Sequence, residues 1–310
     1  MDPEGIARFG VPKQEGGRAG AAVHVGEATR PAEPSPATPS ETTTPVPQAP
    51  TAVAPVRPMA GEYEAGPVTG GGSIRGKVVF TTRPSVPVVQ VTKDKIPCKH
   101  EQHPSERILF DAEGLGVERA LVYIRSIAAG KDWSGDMAQS ERTSVIDQKG
   151  CVYIPHIMIV RTNTQIAVKN SDSAEHNIHA FRNSFLQNQF NLVSSSNSLN
   201  DSSDTAYLED AAKYIVKCDI HPWMNAYIHA VEHPYYVLTG KDGSFELSDV
   251  PAGTWEVACW HEGMKLISQI DPVKGEISGY DYGMDIELPP QSVTVTKGQA
   301  AEVQFQLTPP

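Results

Sequence analysis

The stretch 213-KYIVKCDIHPWMNAYIHAVE-232 decides the fold. Tyr214, Val216 and Cys218 alternate with Lys213, Ile215 and Lys217, the period of two that a half-buried strand requires. A second run rich in β-formers, 226-AYIHAVE-232, follows. Between them lies 218-CDIHPWM-224, where Pro222 stops strand pairing and forces a loop. The loop places a thiol, an imidazole and a thioether, Cys218, His221 and Met224, three residues apart. On ordinary residue usage that spacing arises by chance in roughly one chain in several hundred. The plain alternative is a buried cysteine beside a surface histidine and a gap-filling methionine.

The same punctuated pattern extends on both sides. From Ser73 onward, short alternating runs are split by Gly, Pro and Asn, which reads as an all-β fold with no strong helix. Expected strands include 74-IRGKVVF-80, 119-RALVYIRS-126, 157-IMIVR-161, 164-TQIAVKN-170, 213-KYIVKC-218, 235-YYVLT-239, 244-SFELS-248, 254-TWEVACW-260, 292-SVTVT-296 and 302-EVQFQL-307. Asp242-Gly243 signals a hairpin turn. The Ser- and Asn-rich run 194-SSSNSLNDSS-203 reads as a loop. Residues 1–72 contain 31-PAEPSPATPSETTTPVPQAPTAVAPVRP-58, a Pro/Ala/Thr tract with almost no large apolar residue, and read as a disordered, extended tether.

Bulk composition narrows the function. The 310 residues carry 25 Pro and 25 Gly and a formal charge of -11, so a phosphate backbone is an unsuitable partner and no nucleic acid is expected. Four cysteines, at 98, 151, 218 and 259, are too few for a disulfide scaffold and wrongly spaced for a zinc ribbon. No run is long and apolar enough to cross a membrane. The opening 1-MDPEGIARFGVPKQEGGRAG-20 lacks an apolar signal core, yet the tether suits a protein outside the cytoplasm, anchored to a membrane or cell surface. The expectation is therefore a periplasmic or extracellular protein whose export signal is not visible in this sequence.

One Cys, one Met and histidines are the donors of a blue-copper site, with the thiolate and two imidazoles in plane and a weak axial thioether. The second imidazole is sought in 170-NSDSAEHNIHAF-181, where a strand ends just before His176. Here the chain resembles the cupredoxin family, most closely the amicyanins, whose short loop also reads Cys-x2-His-Pro-aromatic-Met. Their first copper histidine also lies in a His-Asn-Val-His string, matched by 176-HNIH-179. The stretch 153-YIPHIMIVRTNTQIAVKNSD-172 is similar to the strand pair leading into it, and the resemblance covers about 140–233.

The resemblance implies one type 1 copper per chain, with His176, Cys218 and His221 equatorial and Met224 axial. Around them stand Asn177, Asp219, Pro222 and Trp223. It also implies electron transfer with an exported redox protein such as a c-type cytochrome or a quinoprotein dehydrogenase. His221 would turn one ring edge to solvent, and Pro222, Trp223 and Met224 would form an apolar docking collar. No open coordination position is evident, so no enzymatic turnover is expected. Asp219 departs from the family's usual Thr or Ser and would lower the potential unless it points to solvent.

The remaining donors are weighed one by one. His179 alternates onto the opposite strand face from His176 and reads as a non-ligand. His156, His229 and His233 read as surface or packing residues. His100 and His103 in 98-CKHEQH-103 read as a loop pair rather than a second metal site. Cys98 and Cys151 are expected to pair as a disulfide in an exported protein, whereas Cys259 shares a face with Trp255 and Val257 and reads as core.

The segment 239-TGKDGSFELSDVPAGTWEVACW-260, with 292-SVTVTKGQAAEVQFQL-307, resembles the carboxypeptidase-regulatory, transthyretin-like β-sandwich. No catalytic groups come with it. Its opening strands are absent just before Tyr235 but present in 73–135. The expected architecture is a discontinuous sandwich, 73–135 with 234–310, holding a cupredoxin Greek-key sandwich, 140–233, as an insert. The alternative makes 73–135 a separate small β-domain. Two other functions remain: copper storage or delivery by the same ligands, and a structural or carbohydrate-binding surface protein with a vestigial copper site.

Overall fold

A computed structural model describes residues 63–99, 101–138, 143–200 and 206–310. Up to residue 62 the expected tether lies outside these residues. From Tyr63 the chain already belongs to the fold, earlier than the expected boundary at 72. Glu64–Ala65 pairs in parallel with Ala129–Gly130, and Tyr63 donates its hydroxyl to Lys131 O at 2.7 Å. The protein is all-β, built as face-to-face sheets, and the described residues hold one four-residue α-helix, Lys95–Cys98, and one 3-10 turn, Gly135–Ala138. Among them, no helix is long and apolar enough to cross a membrane.

One sandwich takes its strands from both ends of the described chain. Gly72–Phe80 lies between Ser244–Val250 and Ala300–Leu307, and Leu121–Ile124 lies between Tyr236–Leu238 and Gly253–His261. The inward residues of both sheets, among them Ile74, Val78, Val122, Val257, Cys259, Phe305 and Leu307, form one core. Tyr123 stands opposite Tyr236 in register, so the chain leaves this sandwich at about 125 and re-enters on the neighbouring strand. An excursion between adjacent strand ends distorts neither sheet. Asp242-Gly243 does form a turn, with Gly243 at φ +76°. It is not a hairpin, however: Tyr236–Leu238 and Ser244–Val250 pair in different sheets, so the turn arches across the sandwich.

The excursion builds the second sandwich. One sheet runs Asn188–Ser194, His176–Arg182, Ala212–Lys217, Asn225–Val231, Ile157–Arg161 in spatial order. The facing sheet centres on Thr164–Asn170 and Thr143–Gln148, which pair in parallel. Tyr214 and Val216 point inward to meet Ile146, Ile166, Val168, Ile178 and Ile228. Thr143–Gln148 and Asn188–Ser194 escaped the sequence reading because their polar residues blur the alternation. Ser198–Asn200, inside the expected loop, pairs with the end of Thr164–Asn170.

Where the sandwiches meet, Leu121 and Trp260 of one pack on Ile157 and Tyr227 of the other. Beside them lies a buried polar cluster. Arg107 stacks its guanidinium 3.8 Å above the Tyr282 ring and donates to Gly263 O at 2.8 Å. Its Nη1 lies 3.1 Å from Glu262 Oε2, while Glu262 Oε1 lies 2.7 Å from His156 Nε2. Of the two roles expected of His156, surface or packing, the structure gives it the buried one. His229, also buried, meets Trp260 edge to face with ring centroids 4.5 Å apart, and burial lowers its pKa to about 3.

Candidate metal centre

The strands His176–Arg182 and Ala212–Lys217 are antiparallel neighbours, so the start of the first lies beside the end of the second. That juxtaposition brings His176 to the Cys218 loop. The loop is closed by its own backbone, with Cys218 N–H donating to Met224 O at 3.1 Å and Met224 N–H to His221 O at 3.0 Å. The amide of His221 points at Cys218 Sγ, 3.3 Å away. Within this frame His176 Nδ1 and His221 Nδ1 are 2.8 Å apart, and His221 Nδ1 is 3.8 Å from Cys218 Sγ. All three side chains are buried, as is Met224.

The outer nitrogens decide what this cluster is. His176 Nε2 lies 3.0 Å from Asp172 Oδ2, and His221 Nε2 lies 2.9 Å from Asp94 Oδ2. An ionised carboxylate only accepts, so each Nε2 carries the proton. Both Nδ1 atoms are then left with lone pairs that face each other at hydrogen-bond distance. Such an arrangement is repulsive unless a proton or a metal cation lies between them, and burial of both rings disfavours the extra proton. Two imidazole nitrogens and a sulfur converging on one point, each imidazole backed by a carboxylate, fit a metal ion. Burial lowers the pKa of both imidazoles, and their Asp partners pull it back only in part. Burial also raises that of the Cys218 thiol, more than the donors around the sulfur offset. The thiol is therefore not an activated nucleophile, and a bound metal would supply what deprotonates it.

Asn177 and Asp219 hold the loop from the outside. Asn177 Oδ1 accepts from Asp219 N–H at 2.7 Å and from the Cys218 thiol at 3.3 Å. The Asp219 carboxylate turns outward, its side chain 39 % exposed, to His179 at 2.8 Å and Lys217 at 3.0 Å, with Asn177 and Asn191 also donating. Burial alone would raise its pKa, but Lys217, His179 and Asn177 bring it to about 2. His179 therefore serves Asp219, and its other nitrogen lies 2.9 Å from Asn188 Oδ1.

The expected solvent-facing edge is absent. His221 is fully buried, and Trp223 and Met224 are 3 % and 1 % exposed, so Pro222, Trp223 and Met224 form no open collar. The cover comes from the discontinuous sandwich. Asp94 sits on His221, and the Tyr282 hydroxyl lies 3.1 Å from Pro222 O and 3.0 Å from Trp223 O. Cys98 and Cys151 form a disulfide, and Cys151 O accepts from Trp223 Nε1 at 3.1 Å. Donor atoms of Cys98, Cys151 and His221, and of Cys151, Asp172 and His176, lie within 4.8 Å of one another, so the disulfide adjoins the cluster. Solvent reaches the loop from the other side, through a cleft of about 890 Å³ lined by Cys218, Asp219, Pro222, Tyr227, Tyr282 and Met284.

Two functional side chains were missed in the sequence. Asp172 had a signal, a carboxylate four residues before His176. Asp94 had none, lying 127 residues from its partner. Cys259 is fully buried in the other core. His103 bonds to its neighbour's carbonyl and joins no metal-competent group among the described residues, while His100 lies outside them.

No family model and no curated protein matches the chain. Solved structures that it resembles include a purple cupredoxin from Nitrosopumilus maritimus, at 18% identity and a TM-score of 0.24, over 28% of this chain and 99% of that one. A copper-containing nitrite reductase from Thermus scotoductus matches at 16% identity and a TM-score of 0.25, over 33% of this chain and 25% of its own. A copper(I) form of an amicyanin variant matches at 14% identity and a TM-score of 0.24, over 36% and 98%. With scores this low, the functional reading rests on the side chains themselves.

Proposed function

We propose that the chain is a type 1 copper protein that transfers electrons, and that His176, Cys218, His221 and Met224 would hold its copper. The observation that carries this is the pair of Nδ1 atoms 2.8 Å apart, each ring held by a carboxylate at its other nitrogen, with Cys218 Sγ beside them. Copper bound there would supply a one-electron couple. The chain's own part is to present the donors already oriented, so that little rearranges between oxidation states. Asn177 fixes the sulfur from one side and the His221 amide from the other, and the surrounding core excludes water.

Electrons would pass through Cys218 to the cleft beside it, because the His221 edge is covered. An exported partner, such as a c-type cytochrome or a quinoprotein dehydrogenase, would dock at that cleft rather than at the loop apex. The discontinuous sandwich is read as a carboxypeptidase-regulatory-like domain without catalytic groups, and 140–233 as the inserted cupredoxin domain. The full burial of His221 also favours a second reading, copper storage or delivery. Titration of the metal-free protein with copper(II) tests the first reading. An intense thiolate-to-copper band at one equivalent, with a reversible potential, is expected. Tight binding without a reversible couple would favour storage, and no visible band would refute the type 1 assignment.

A further inference from the structure

The segment Lys93–Lys99 is an unusual lid. It is joined in sequence to strands of the discontinuous sandwich, yet Cys98 is buried in the core of the other, whose candidate metal centre the segment covers. Lys93, Asp94, Lys95 and Ile96 are exposed, Ile96 at 91 %, and Cys98 is the buried residue of the segment. Asp94 is held at φ 45° and ψ 40°, a left-handed conformation that Asp tolerates. Its carbonyl accepts from Cys98 N–H at 2.9 Å, so its position follows that of Cys98. Cys98 is in turn bonded to Cys151. The amide of Cys151 donates at 2.8 Å to Asp172 Oδ2, the same oxygen that holds His176 Nε2. One half of the disulfide thus anchors the carboxylate on His221, and the other half touches the carboxylate on His176.

We propose that Asp94, latched over His221 by the Cys98–Cys151 disulfide, is a positioning residue of the metal centre that fixes the His221 ring and closes its edge to solvent. This inference rests on the copper reading for its electronic consequence, but not for the seal. A carboxylate accepting from Nε2–H makes Nδ1 a stronger donor and favours the more highly charged metal state. Val89 and Val91 anchor the strand that leads into the segment, and within Lys93–Lys99 itself the disulfide is the one buried tie that holds Asp94 in place. Its reduction takes two electrons and two protons from a dithiol, which leaves as its own disulfide. The two resulting thiols no longer tie the lid to the sandwich beneath. Access to the His221 edge therefore depends on the thiol redox state outside the protein.

The test uses the full chain with Asp94→Asn, Asp94→Ala, and Cys98→Ser combined with Cys151→Ser, each checked for native near-ultraviolet dichroism. In the metal-free protein, carbethoxylation of His221 by diethyl pyrocarbonate is followed by peptide mass spectrometry. His221 is expected to be protected in the parent and in Asp94→Asn, and modified at least about tenfold faster in Asp94→Ala and in the double serine variant. In the copper-loaded protein, both Asp94 variants are expected to lower the copper(II)-to-copper(I) affinity ratio. For Asp94→Ala the drop is about tenfold, a rise of about 59 mV. A purely structural lid would change the labelling and leave the potential of Asp94→Asn untouched. Equal labelling of His221 in all four proteins overturns the seal. An Asp94→Asn potential equal to the parent's overturns the positioning role. If the parent binds no copper, the copper reading falls, while the labelling comparison still decides the lid.

Discussion

Replacing Glu262 by Gln is expected to destabilise the protein by about 3 kcal/mol at neutral pH. Glu262 is 2 % exposed at the junction of the two sandwiches, 2.7 Å from His156 and 3.1 Å from Arg107. Burial alone would raise its pKa. His156 and Arg107 outweigh burial and hold it at about 2, against an ordinary 4.5. A displacement of roughly two and a half units, at ~1.36 kcal/mol per unit, gives that figure. It agrees with the ~3–5 kcal/mol lost when a buried ion pair is broken from one side, since Arg107 keeps its charge in a place water cannot reach. A depressed carboxylate stabilises the fold fully above pH 4.5 and loses that contribution as the pH falls toward 2. Gln has no charge to lose. The gap between parent and variant should therefore shrink to about 1 kcal/mol at pH 3. Guanidinium unfolding followed by tryptophan fluorescence measures it, because Trp260 lies at the same junction. A gap below 1 kcal/mol at pH 7, or one unchanged at pH 3, would refute the claim that this carboxylate holds the sandwiches together.

Cys218→Ser should abolish the visible copper band while Cys259→Ser keeps it, since burial pushes the Cys259 thiol up to about 12 in an apolar core far from the loop; equal loss of colour in folded variants would contradict the assignment. A fragment of 234–310 should show no cooperative unfolding, because Gly72–Phe80 is the strand between Ser244–Val250 and Ala300–Leu307; a well-dispersed amide spectrum would argue for sequential domains. Asp219→Asn should cost less than about 1 kcal/mol in thermal unfolding at pH 7, because its ion pairs with Lys217 and His179 are partly exposed and screened; a loss of several kcal/mol would mean the carboxylate faces the metal centre instead.

What the sequence determined by itself was local. Alternation about Tyr214, Val216 and Cys218 specifies a strand, Pro222 specifies a loop, and a thiol, an imidazole and a thioether at a spacing of three mark a candidate metal site. The second imidazole was legible because His176 begins a strand whose alternation also turns His179 away. These features need only a few consecutive residues, since side-chain direction in a strand and loop is set by the backbone nearby. The tertiary structure alone decided what lies against the loop. Nothing near residue 94 announces a partner for His221, for the pairing depends on how one sandwich packs on the other. The same packing buries Arg107 and Glu262, charges that no local pattern marks as buried. It covers the collar expected at Pro222, Trp223 and Met224. The Asp242-Gly243 turn is an arch because the strands on either side of it join different sheets of one sandwich. Such contacts join residues as far apart in sequence as 59 positions for Tyr282 and Trp223 and 127 for Asp94 and His221, and they depend on how whole sheets pack rather than on any pattern within one stretch.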